Sequence, residues 1–211
     1  MKKKLLILTI FLFIISIESP QGMIFPMWIV IFIFKDKLIK IVDKIALPIA
    51  FIWIGTLLWL FTEFFAILNN LNVEYGKRIL MSQDPITDIL IAPAYYTFFI
   101  SLIYFLVKKY NFSKKEIFFI SGIYWIFTEN NWIILLNIFI NPLLWTATAF
   151  LVMSVYAVFP ILTYLLTEHR FENNRQKPTI KIYLLLPIIL FLFWAIFWNI
   201  TLPIFKIIFW E

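Results

Sequence analysis

From Ala46 to Leu68 the chain carries a single charged side chain, Glu63, and five further stretches are nearly as apolar. No aqueous surface covers runs of that length. A helix needs roughly 20 such residues, at about 1.5 Å each, to cross ~30 Å of hydrocarbon. The six blocks run Met23–Phe34 (continuing toward Ile41), Ala46–Leu68, Ile86–Val107, Ile117–Ile138, Leu143–Leu166 and Ile182–Ile208. A seventh, Leu5–Ile17, is short and follows Lys2, Lys3 and Lys4, as a signal peptide would. Ile17-Glu18-Ser19 lacks a small-x-small cleavage pattern and Pro20 follows it, so an uncleaved first helix is expected.

Composition agrees with the blocks. Of 211 residues 63% are apolar and 14% charged, against roughly a quarter charged in a soluble domain. The expected fold class is an all-α integral membrane protein with six to seven transmembrane helices. It forms a single membrane domain over 1–211, with residues 1–22 as the signal-like or first spanning segment. The 20% aromatic share reads first as the Phe-, Ile-, Lys- and Asn-rich usage of an AT-rich coding sequence, ahead of a lining for a flat ligand. The chain has no cysteine, which excludes disulfides, thiolate metal sites and Cys nucleophiles. Its one histidine, His169, sits between Glu168 and Arg170 and reads as a solvated loop residue. One His cannot build a multi-His zinc site, and no metal or cofactor is expected.

Charge orients the spans. Fifteen of the 18 Lys and Arg fall in four clusters: Lys2–Lys4, Lys35 to Lys44, Lys108 to Lys115 and Arg170 to Lys181. The spans above bring all four to one side and leave Lys77, Arg78 and Lys206 on the other. The positive-inside rule then makes the N-terminus cytoplasmic and, with seven helices, the C-terminus external, in a multi-pass cell-membrane protein. The net charge of +6 follows from this asymmetry and suits anionic lipid heads. The expected partners are therefore membrane lipids and a membrane-protein partner, with no nucleic acid.

The chain also matches itself. Trp59-Leu60-Phe61-Thr62-Glu63 recurs as Trp125-Ile126-Phe127-Thr128-Glu129, offset by 66, while Gly55/Gly122 and Pro26/Pro93 are each 67 apart. Each unit reads as a Pro-bearing helix, a basic loop, and an outward helix with Gly and then Trp-x-Phe-Thr-Glu. These helix-hairpin repeats span 23–70 and 83–138 in the same orientation. A third, degraded copy spans 142–208, where Trp194 to Asn199 lines up with Trp125 to Asn130.

Glu63 and Glu129 are the acids deep within spans, and the repeat makes them equivalent. A carboxylate in hydrocarbon costs at least ~2.5 kcal/mol, so it normally faces a polar interior with a partner. Trp59 and Trp125 lie at i−4 on the same helical faces. Asn130 follows the second acid, and Tyr95 and Tyr96 follow Pro93 near the outer interface, where aromatic belts lie. The candidate ligand-binding set is therefore Glu63, Glu129, Asn130, Trp59, Trp125 and Tyr96, with no catalytic residue assigned. Read structurally, each protonated Glu pins neighbouring helices by roughly 0.6–2 kcal/mol. Read functionally, the two share an acidic site. Asp84-Pro85 and Asp88 fit a helix start, Asp as cap and Pro first. Gly55 and Gly122 allow close helix approach. No phosphate-cradling Gly loop, Ser elbow or His metal motif occurs.

The stretch Phe51–Phe105, with Trp53, Ala92-Pro93, Phe98-Phe99 and Tyr104, resembles the lycopene cyclase domain. That family consists of small repeated helical membrane units that use carboxylates after a proline to protonate a polyene. Here Ala94, Tyr95 and Tyr96 follow Pro93 in place of its Pro-x-Glu-Glu, and no catalytic residue carries over. The leading expectation is a protein that binds or translocates a small cation, a proton, or a polar or lipid-headgroup ligand at an outward-facing acidic site. The alternatives are a membrane enzyme on a lipophilic substrate, an intramembrane Glu being its general acid, and a non-catalytic scaffold subunit.

Overall fold

The computed structural model describes residues 2–16, 22, 24–78, 80, 82–128, 133–204 and 207. These are helical, without β-strands. Eight helices follow in order: α1 Lys2–Ser16, α2 Ile24–Val42, α3 Leu47–Asn70, α4 Pro85–Lys109, α5 Lys114–Thr128, α6 Ile133–Asn137, α7 Pro142–Thr167 and α8 Ile180–Ile196. A 3₁₀ turn prolongs α7 to Arg170, and a π-turn over Phe197–Thr201 follows α8. Four helical stretches are long and apolar enough to cross a membrane: Leu47–Asn70, Pro85–Lys109, Pro142–Arg170 and Ile180–Ile204. The other elements fall short for plain reasons. α1 is about 22 Å long. The second half of α2 carries Lys35, Asp36, Lys37 and Lys40. The block expected at Ile117–Ile138 is described as α5 ending at Thr128 and α6 starting at Ile133, with 129–132 outside the described residues.

The helix starts are written in side chains. Asp84 caps α4: its Oδ2 accepts from the Thr87 amide at 2.7 Å and the Thr87 hydroxyl at 2.6 Å, with Pro85 first in the helix. Ser113 and Glu116 form a capping box on α5. The Ser113 amide donates to Glu116 Oε2 at 2.6 Å, and the Glu116 amide donates to Ser113 Oγ at 3.3 Å. Asn141 Oδ1 accepts from the Leu144 amide at 3.2 Å at the start of α7.

The chain divides into two compact units. The first holds 1–105 and 162–171, the second 106–161 and 172–211. In the first, α3 and α4 pack along a stripe that buries Phe51 and Trp59 on one helix and Ala92, Phe99 and Ile100 on the other. Gly55 permits the approach, since a Cβ there would lie 2.7 Å from Ile100 Cγ2. Phe171 closes this core, edge-on to Phe51 at 6.0 Å and beside Tyr164 at 5.8 Å. In the second unit α5 packs on α7, where a Cβ at Gly122 would lie 2.5 Å from Met153 Cβ. Ile126, Ile134 and Ala149 are buried together there against Trp145 and Val152.

Two arginines after α7 close two helix ends. Arg170 Nη1 donates to the Val42 carbonyl at 2.9 Å, within the first unit. Arg175 Nη1 donates to the Val107 carbonyl at 2.6 Å, within the second. Val42 and Val107 lie in the last turns of α2 and α4, where the helix dipole favours a cation, and the Val42 carbonyl also takes the Ile45 amide at 3.1 Å.

Candidate functional site

In the first unit, Trp59 and Glu63 stand one turn apart on α3. Tyr96 of α4 meets both. The Trp59 and Tyr96 rings stack with centroids 4.6 Å apart and planes at 15°. The Tyr96 hydroxyl donates to Glu63 Oε2. Both rings are buried, at 3% exposure each, so the stack fixes the tyrosine ring and the hydroxyl is aimed by packing as well as by its bond. A hydroxyl donor to the carboxylate offsets part of the cost of holding it in an apolar helix.

The same helix pair carries further polar groups. Thr56 and Thr97 hydroxyls lie 3.2 Å apart, and the Thr62 hydroxyl turns back to the Leu58 carbonyl at 3.4 Å. Farther along α3, Asn70 Nδ2 donates to the Ala66 carbonyl at 2.8 Å. Asp88, in the first turn of α4, is fully buried, and its Oδ1 accepts from the Ser82 amide at 2.8 Å. That bond ties the preceding loop to the helix, a role beyond the helix-start one expected for it.

The second Trp-x-Phe-Thr segment has a comparable setting within the second unit. Trp125 stacks on Tyr156 of α7 at 4.8 Å and 11°, and the Thr128 hydroxyl donates to the Tyr124 carbonyl at 3.2 Å. Glu129 and Asn130 lie outside the described residues. Of the six candidates, Glu63, Trp59 and Tyr96 thus meet in one unit, and Trp125 belongs to the other. Each tryptophan takes its stacking partner from the long helix that follows it, α4 or α7. The Pro-bearing helix that precedes each one in the sequence repeat plays no part in the stack. Tyr156 has no motif around it, and only the spatial match to Tyr96 marks it.

His169 is half-exposed, with Nε2 2.8 Å from Asp43 Oδ1, and Arg170 Nε lies 3.8 Å from the same oxygen. The expected loop histidine is thus anchored to the end of α2. Among the described residues no three metal-ligating side chains come together. At the start of α4, the Thr87 hydroxyl and then its amide hold the Asp84 carboxyl below the usual carboxylate range.

No protein-family model matches the chain, and neither a curated protein nor a solved structure matches it.

Proposed function

We propose that this is a multi-pass cell-membrane protein of six or seven spans that binds or translocates a proton or a small cation at Glu63. In this reading the N-terminus is cytoplasmic, the C-terminus external, and the acid faces outward. The observation that carries it is the buried Tyr96 hydroxyl on Glu63, locked by the Trp59 stack, in a helix long and apolar enough to cross a membrane. A carboxylate retained there needs a partner that meets its charge. The phenol is one donor to that carboxylate, and in this reading an exchangeable proton or a bound cation balances its charge. The two-fold repeat extends the proposal to a second site at Glu129 and Asn130. Its support is the paired stacking of Trp59 on Tyr96 and Trp125 on Tyr156, and the matched Thr62 and Thr128 bonds.

The test uses the full chain in detergent and in proteoliposomes. Melting temperature is followed against Na⁺, K⁺ and ammonium at constant ionic strength, and proton or cation uptake against an imposed gradient. Wild type is expected to respond to one of these ions or to the proton gradient. Glu63→Gln keeps the shape and should remove the Glu63 share of the response, and adding Glu129→Gln should abolish what remains. Tyr96→Phe should weaken the response and leave the carboxylate active. A Glu63→Gln protein that responds like wild type would sink the proposal in favour of a purely structural acid.

A further inference from the structure

A groove runs between α5 and α8, wholly within the second unit, with a cavity volume of about 590 Å³. Known ligand sites occupy ~300–1,000 Å³. Its walls repeat at three- and four-residue spacing: Ile120, Ile123 and Phe127 on α5, Leu186, Leu190 and Trp194 on α8. The polar groups are unevenly placed. At one end the Tyr183 hydroxyl, in the first turn of α8, donates to Glu116 Oε1, in the first turn of α5. Glu116 Oε2 takes the Ser113 amide, so both carboxylate oxygens are already engaged. At the other end the Thr128 hydroxyl turns back on its own helix.

Three lysines flank the starts of α5 and α8 in sequence, at the Glu116 end. Lys114 and Lys115 precede Glu116, Lys115 one turn before the wall residue Phe119, and Lys181 lies two residues before Tyr183. All three are exposed. The occupant must therefore be apolar along its length and anionic at one end. From Glu116 to Thr128 the groove runs about 18 Å at ~1.5 Å per residue, a little over half of the ~30 Å hydrocarbon. That is the depth of one leaflet.

We propose that this groove holds one chain of an anionic, phosphate-headed membrane lipid, with the phosphate among Lys114, Lys115 and Lys181. Several cations in the first turns of the two helices suit a head with several charged oxygens. The site is separate from Glu63 and stands or falls without it. The bond between Tyr183 and Glu116 seals the end of the groove where the chain meets its head, while the lysines supply the attraction.

The full chain, delipidated in nonionic detergent, would be titrated with phosphatidylglycerol, phosphatidylcholine and glycerol 3-phosphate. Melting temperature and lipid retained in native mass spectrometry are the readouts. Phosphatidylglycerol should raise the melting temperature more than phosphatidylcholine and leave one lipid per chain, while glycerol 3-phosphate should do nothing. Ile123→Trp fills the groove and should lose the retained lipid. The exposed pair Lys115→Gln/Lys181→Gln should fold normally and lose the preference for phosphatidylglycerol. Equal effects of the two lipids on wild type, or a full effect of glycerol 3-phosphate alone, overturn the proposal. So does retention of the lipid by Ile123→Trp. Should Ile123→Trp fail to fold, an unchanged lipid preference in the lysine pair variant overturns it equally.

Discussion

Asp84 shows how much a single side chain can set in this molecule. Its carboxylate takes both donors of Thr87 and starts α4, so Asp84→Ala should cost about 1 kcal/mol. Because these bonds lower its folded pKa, its contribution is complete above the unfolded value of ~3.9. It is lost as pH falls through the lower folded one. Denaturation of wild type and Asp84→Ala between pH 7 and pH 3 should show a gap that narrows only at the acid end. A gap constant with pH would mean the carboxylate charge is irrelevant. Asp84-Pro85 is readable from sequence because capping is local chemistry. Ser113-Lys-Lys-Glu116 is equally local, and its Ser-x-x-Glu spacing ahead of an apolar run is the signal that could have found this cap. The bond from Tyr183 to Glu116 crosses 67 residues, and nothing in the spacing announces it.

Helices were legible where an apolar run ends in a charge or a proline. Ala46–Leu68 became α3 at Leu47–Asn70, and Ile86–Val107 became α4 at Pro85–Lys109, since hydropathy and length alone decide such spans. Partner choice was less legible, because any two apolar helices satisfy hydropathy and only shape selects between them. The glycines carry part of that shape, and they differ. At Gly55 a new methyl meets Ile100 γ- and δ-carbons, all side-chain atoms, so the shift it forces can stay within that side chain and its neighbours. At Gly122 it meets Met153 Cβ and, at 3.0 Å, Met153 Cα, so the backbone itself must move. Overpacking of this kind costs ~1–3 kcal/mol. Gly122→Ala should therefore lie near the upper end and Gly55→Ala below it, as thermal unfolding in detergent would measure. The reverse order would mean that the α3–α4 contact is the stiffer of the two.

For the whole chain, the four basic clusters make a prediction about sidedness. The native sequence has no cysteine, so introduced ones can be labelled without background. In intact cells, cysteines replacing Lys37, Lys114 and Arg175 should be shielded from an impermeant thiol reagent, and those replacing Asn72 and Asn141 should react. Reaction at Lys114 without lysis would reverse the proposed orientation. The segment that follows α7 has a further consequence, one of timing. Arg170 closes a carbonyl 128 residues upstream and Arg175 one 68 residues upstream. The ends of α2 and α4 therefore leave the ribosome well before the residues that finish them. A nascent chain halted before Arg170 lacks both guanidinium donors. The segment after α7, not α7 itself, brings the donors for carbonyls made much earlier.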